Sequence, residues 1–172
     1  MFFDEEMLLD LRLNIMNKYV DKFIITEATY MHSGKSKKLV FDINKFSKFK
    51  DKIIYSVVDK QPGNIEIINK GDDKIARGNK LIHNSVKREN YQREMARKLL
   101  EDAQEEDIIL INDIDEIPNL DGVNFNNINN KIIIFQQKTF YYKFNLMYQN
   151  FIWHGSKACK KKNFISPQWL RN

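Results

Sequence analysis

A single cysteine, Cys159, stands among 172 residues. It has no partner for an internal disulfide and cannot build a cysteine-rich zinc site, which suits a reducing compartment and an expected cytoplasmic location. No stretch approaches the roughly 18–20 uncharged apolar residues that a membrane span needs, so no span is expected. Met1-Phe2-Phe3 runs at once into Asp4, Glu5 and Glu6 instead of an apolar signal-peptide core. Acidic residues stop at Asp121: residues 122–172 hold eight Lys or Arg and no Asp or Glu. Residues 1–121 carry 20 basic against 23 acidic side chains, although the whole chain is net +5. A basic C-terminal third fits an anionic partner, whether a nucleic acid, a phosphorylated ligand or an acidic face of the same fold; a solvated Lys-rich surface fits as well. Arg-rich motifs, zinc-finger spacings and aromatic RNA-binding signatures are all missing, so the pI of 9.1 does not by itself point to nucleic acid.

What is present is enough to fold. With 42% hydrophobic and 12% aromatic residues, a chain of this length can bury roughly 70% of its unfolded surface in one ordinary domain. Met7, Leu8, Leu11 and Ile15 recur at helical spacing behind Asp4, predicting a helix over 5–17. Apolar, β-rich runs at 22–28 and 52–58 predict strands, with a loop over 30–35 and a short helix over 43–49. Residues 59–79, with Pro62, Gly63, Gly71, Gly78 and many charges, predict a mobile connection, and 84–103 a helix whose apolar side is Tyr91, Met95, Leu99 and Leu100. Residues 107–111 form a continuous apolar run, the pattern of a strand buried on both faces in a helix-covered parallel sheet. Helix and strand alternate, which is the α/β pattern. After an Asn-rich turn at 124–130, strand-like runs follow at 131–136, 139–144 and 151–154. The aromatic cluster Phe140, Tyr141, Tyr142 and Phe144 reads as a strand packed on both sides.

The chemistry collects behind the apolar run, in Asn112-Asp113-Ile114-Asp115-Glu116-Ile117-Pro118. Ligands of open α/β sheets bind outside the carboxyl ends of the strands. If the chain stays extended, Asp113 and Asp115 project to one side and offer hard oxygen ligands to Mg²⁺ or Mn²⁺. The triplet is not specific, since thirteen Asp residues in this chain give about one D-x-D by chance. Its position at a strand end is the stronger signal, because three crowded acids repel unless a cation or a basic side chain compensates them. A polar loop of turn and cap carboxylates is the alternative. His32, His83 and His154 are too scattered for a zinc site, Trp153 and Trp169 suit sugar stacking or packing, and Lys160-Lys161-Lys162 suits a phosphate-contacting loop or a solvated turn.

Several ordered motifs carry a resemblance. They are Phe3-Asp4-Glu5-Glu6-Met7-Leu8-Leu9-Asp10-Leu11-Arg12-Leu13-Asn14, the strand Phe23-Ile24-Ile25-Thr26-Glu27-Ala28 with Ser33-Gly34-Lys35 and Lys38-Leu39 behind it, and Glu89-Asn90-Tyr91-Gln92-Arg93. The Ile111-to-Pro118 element, Trp153-His154-Gly155 and Ser166-Pro167-Gln168-Trp169-Leu170-Arg171 complete them. Together they resemble the β-1,4-mannosyl-glycoprotein β-1,4-N-acetylglucosaminyltransferase family, the enzymes that add bisecting GlcNAc and their microbial relatives.

The resemblance implies a GT-A glycosyltransferase: an α/β fold with a Rossmann-like, mostly parallel central sheet covered by helices, and residues 1–172 as a single domain. It implies a nucleotide-sugar donor, with UDP-GlcNAc expected, a glycan acceptor such as a surface polysaccharide, a divalent Mn²⁺ or Mg²⁺ at the D-x-D, and inversion at the anomeric carbon. Carried over residue by residue, Asp113 and Asp115 match the D-x-D, with Asp115 the direct metal ligand and Asp113 nearer the ribose or a metal-bound water. Glu116 extends the motif, Glu27 closes the first strand where base and ribose lie, and Arg93 meets the diphosphate or pairs with an acid. An ordinary surface helix charge is the plain alternative for Arg93. Inversion needs a base for the acceptor hydroxyl, usually a carboxylate C-terminal to the D-x-D, and nothing acidic follows Asp121. The chain is therefore expected to lack a C-terminal family segment that carries the base; the alternatives are that Glu116 or His154 substitutes, or that the chain binds without turning over. No anchor precedes the first motif, so the Golgi-type arrangement of animal relatives is not expected. Two alternatives stand beside this reading: a metal-dependent phosphatase-like hydrolase, in which the first Asp of such a motif is a nucleophile, and a non-catalytic basic module that binds nucleic acid or glycan.

Overall fold

The computed structural model describes residues 1–127, 130–143 and 145–172. Backbone contacts divide the chain into two compact units, residues 1–6 with 21–101 and residues 7–20 with 102–172.

In the first unit, β1 (Phe23–Ala28) and β2 (Ile53–Val58) pair in parallel from Phe23 opposite Ile53 to Ala28 opposite Val58, and Phe2 adds a parallel bridge at Glu27. Both strands are rich in Ile, Val, Thr, Phe and Tyr, whose branched or aromatic side chains fit a pleated surface. A 3₁₀ segment, Ile43–Lys52, delivers the chain to β2. Helix α2 (Lys74–Met95) lies against β1, where Gln92 Nε2 donates to the Thr26 carbonyl at 3.0 Å. Tyr91 and Met95 pack on the buried cluster Ala28, Tyr30 and Val58.

The helix begins ten residues before the expected start at 84. Asp73 caps it by accepting from Ala76 N–H at 2.7 Å, and Gly78 falls inside it. The stretch that reads as a mobile connection is tied to this helix. Asn84 mimics a neighbouring strand for Glu66, taking its N–H and donating to its carbonyl, both at 2.8 Å, while Lys80 binds the Asp72 carboxylate. At the Ser33-Gly34-Lys35 turn, Gly34 has φ +89°, and a Cβ there would lie 2.6 Å from the Arg88 guanidinium. Only glycine meets both conditions.

In the second unit, β3 (Ile108–Ile111) pairs antiparallel with β7 (Lys157–Lys160), and β7 pairs antiparallel with β4 (Ile133–Ile134). Helix α3 (Pro167–Arg171) packs on β7 and β3. Helix α1 (Glu6–Met16) buries Leu9, Leu13 and Met16. A hairpin of β5 (Gln137–Phe140) and β6 (Met147–Trp153) forms a sheet of its own.

The architecture is mixed α/β. The described strands form three small sheets instead of the mostly parallel central sheet expected, and the parallel pairing is confined to β1 with β2 and the Phe2 bridge to β1. The apolar run of β3 is partly buried, and its partner is antiparallel. Composition reports that a strand is apolar; the direction of its neighbour is a tertiary matter. The aromatic segment also departs from expectation, because Phe140 and Tyr141 are exposed and Tyr142 is fully exposed at a turn with φ 59°. Phe144 of that cluster, and residues 128 and 129 of the Asn-rich turn, lie outside the described residues. No helix among the described residues is long and apolar enough to cross a membrane.

Candidate active site

The D-x-D sits where β3 ends, but the chain does not stay extended through it. Glu116 N–H donates to the Asp113 carbonyl at 3.1 Å, closing a four-residue turn with Asp at its first position, where Asp is favoured. Glu116 answers with its side chain, whose Oε2 accepts from Asp113 N–H at 3.1 Å, and Asn112 Nδ2 donates to the Glu116 carbonyl at 2.9 Å. The extended geometry that aligns the two aspartates is thus replaced by a turn. Asp115 is exposed at its tip, the Asp113 side chain is about one-third exposed, and Glu116 is buried.

Two arginines, far away in sequence, meet this turn. Arg12 of α1 donates through Nη1 to the carbonyls of Asp113 (2.9 Å) and Glu116 (2.8 Å), and through Nη2 to the Asn112 side-chain oxygen. Arg171 of α3 spans the two carboxylates: Nη2 reaches Asp113 Oδ2 and Glu116 Oε1, each at 2.7 Å, and Nη1 reaches Glu116 Oε2 at 3.1 Å. Fork-to-carboxylate bonds of this kind are among the stronger hydrogen bonds in proteins. Loss of hydration pulls the Arg12 pKa down to about 10 against the pull of Glu116, Asp113 and Asp115, so the group stays charged at neutral pH. Burial also disfavours the Arg171 charge, but Asp113 and Glu116 outweigh it and raise that pKa.

Glu116 is locked from further directions. The Trp153 indole N–H donates to Oε1, Ser156 Oγ stands 3.4 Å from Oε2, and the Arg171 guanidinium lies 5.7 Å from the Trp153 ring centre. Gly155 makes this packing possible. A Cβ at that position would sit 2.1 Å from Glu116 Oε1, 2.2 Å from Trp153 Nε1 and 2.3 Å from Arg171 Nη1. Helix α3 holds Arg171 in place through its start, where Pro167 opens the first turn and Ser166 Oγ accepts from Trp169 N–H at 3.2 Å.

Of the residues singled out from sequence, Asp113, Asp115 and Glu116 share this turn, and His154 is exposed between Trp153 and Gly155. Glu27 and Arg93 belong to the first unit. Glu27 is fully buried at the end of β1 and accepts from Lys37 Nζ, Val40 N–H (2.9 Å), Phe41 N–H (3.1 Å) and the Tyr55 hydroxyl (2.8 Å). Burial would raise its pKa, yet the four donors together bring it below the usual carboxylate range. Arg93 is a buried side chain of α2, bonded to Glu89 at 2.7 Å, and not a solvated surface charge. In the lysine run, Lys160 and Lys162 both bind Glu106, whose pKa falls to about 2. Arg12, Arg171, Gly155 and Ser156 received no role from the sequence. For the two arginines the signal was the repulsion of three crowded acids, which demands positive charge from elsewhere in the fold.

The sequence model of glycosyltransferase family 17 matches residues 1–165, nearly the whole chain. The chain belongs to that family. It is the family of the bisecting-GlcNAc transferases, which the motifs resemble. No curated protein and no solved structure gives a significant match. Membership makes this chain a glycosyltransferase, with a sugar donor and an acceptor as its partners, and it leaves the hydrolase and nucleic-acid-binding alternatives without support. The turn carries three carboxylates against two guanidinium groups, a local balance of −1 at neutral pH with Asp115 outermost.

Proposed function

We propose that the chain is an inverting, metal-dependent glycosyltransferase of GT-A type that moves N-acetylglucosamine from UDP-GlcNAc to a glycan acceptor. The observation that carries this reading is the division of labour in the turn. Asp113 and Glu116 are bound to Arg171, while Asp115 stands exposed at the tip of a loop that Arg12 makes rigid.

The donor set fits a hard divalent cation. Among the described residues no group of three His, Cys, Asp or Glu side chains gathers, and Mg²⁺ or Mn²⁺ in phosphate-transfer sites is typically held by one or two carboxylates plus the substrate's phosphates and waters. Asp115 would hold the ion, with Asp113 beside it sharing its charge with Arg171. When bound, such an ion would supply positive charge for the diphosphate leaving group.

The chain's own residues do the rest. Arg12 and Arg171 fix the turn before substrate arrives, so no reorganisation is needed as charge develops. Glu116, with both oxygens engaged, is a positioning residue. Among the described residues, His154, exposed beside Trp153, is the candidate for taking the proton of the acceptor hydroxyl. In the first unit, Glu27 holds residues 37–41, and Arg93, which the resemblance gives to the diphosphate or to an acid, pairs with Glu89.

Calorimetry tests the reading. UDP is expected to bind only with Mn²⁺ or Mg²⁺ present, and Asp115→Ala to abolish that binding while leaving stability within ~0.5 kcal/mol, because the side chain is exposed. Metal-independent UDP binding that Asp115→Ala leaves intact refutes the assignment.

A further inference from the structure

In the β5–β6 hairpin, β5 alternates half-buried and exposed residues, whereas β6 is exposed along its whole length. The exposure is not random. The ring centres of Tyr141 and Tyr148 are 5.3 Å apart, those of Tyr148 and Phe151 5.4 Å, and those of Phe151 and Trp153 6.3 Å, forming one continuous aromatic row. Asn150 at φ 63° is a local irregularity that brings Phe151 round to the Tyr148 side of the strand. The row ends on Trp153, whose indole N–H is bound to Glu116.

Polar atoms without partners lie on the facing strand. Gln137, directly opposite Trp153, and Thr139, two residues on, keep Oε1 and Oγ1 out of solvent with no hydrogen-bond partner among the described residues. Lys138 and Lys143 are the charged residues of the hairpin itself, and Glu116 and Arg171 lie at its Trp153 end.

We propose that this aromatic row is the acceptor subsite, a platform on which a neutral oligosaccharide lies with its sugar faces stacked on Tyr148, Phe151 and Trp153. The inference rests on the proposed transferase reading and names the substrate surface of that same site. A pyranose offers an apolar C–H face to a ring, which is what the exposed aromatic row is built to receive. Continuity through Trp153 leads such a chain towards the Asp113–Glu116 turn.

Saturation-transfer NMR on the intact chain, without nucleotide or metal, tests the proposal against a panel of neutral tetrasaccharides built from glucose, galactose, mannose and N-acetylglucosamine. At least one member is expected to bind. Tyr148→Ala and Phe151→Ala should each weaken it by about tenfold or more, and Phe151→Trp should retain it, with circular dichroism confirming that each variant is folded. Binding by no member of the panel, or undiminished binding by the alanine variants, overturns the proposal. So does a stable dimer in sedimentation that Phe151→Arg splits, because a second copy would then occupy the row. The UDP–Mn²⁺ titration of the unaltered chain is read separately: its failure alone refutes the proposed donor chemistry, whereas failure of the oligosaccharide arm alone refutes the acceptor subsite.

Discussion

Substituting Gly155 with alanine tests the packing of the site with a single methyl group. The glycine's φ is not in the left-handed region, so the backbone itself tolerates alanine. The obstacle is space, because the new Cβ would fall 2.1–2.3 Å from Glu116, Trp153 and Arg171 atoms that are bonded to one another. Overpacking of this kind costs about 1–3 kcal/mol. Relief requires at least one donor to leave the buried Glu116 carboxylate, which adds about 1–3 kcal/mol. Together these give a loss of about 2–6 kcal/mol, which for a chain of this size lowers Tm by roughly 5–20 °C. Urea titrations read by tryptophan fluorescence measure it, since Trp153 loses its indole hydrogen bond in the same event. Gly63→Ala is the control, because nothing lies within 4 Å of a Cβ there. A Gly155→Ala variant within ~0.5 kcal/mol of the parent would show that the Glu116 cluster is looser than described and would remove its role in positioning the turn.

Two further substitutions probe the first unit. Glu27 is held below its ordinary carboxylate pKa, so its contribution is fully present above about 4.5, the unperturbed value, and is lost as pH falls through the lower folded value. Glu27→Gln strands the buried Lys37 and should cost about 3–5 kcal/mol at pH 7; the gap between parent and variant in urea midpoint should narrow on acidification below 4.5, and a gap that widens contradicts the assignment. Gly78 lies inside α2 with open space around it, so Gly78→Ala should stabilise by about 0.5–1 kcal/mol, an effect that thermal unfolding resolves and that a lower Tm would disprove.

Internal pairing accounts for part of the basic C-terminal third of the sequence. Of the eight basic residues after Asp121, Arg171 neutralises Asp113 and Glu116, and Lys160 and Lys162 bind Glu106. Part of the charge asymmetry along the chain is thus internal pairing, the third of the options that the composition left open.

Local patterns were legible from the sequence alone. The helix at 6–16, both strands of the parallel pair and the apolar strand before the acids follow from periodicity and propensity, which involve residues a few positions apart. The ordered motifs carried the family for the same reason, since each is a short run. Three things were decided only in tertiary structure. The direction of the partner of β3 depends on where residues 157–160 arrive. The turn at Asp113 depends on Arg12, 101 positions earlier, and on Arg171, 58 positions later. The exposure of Tyr141, Tyr142 and Phe151 depends on what packs against the hairpin, and the same aromatic run would suit a buried strand equally well. Charge compensation and burial act through space, and a linear sequence states that they are needed without saying which residue supplies them.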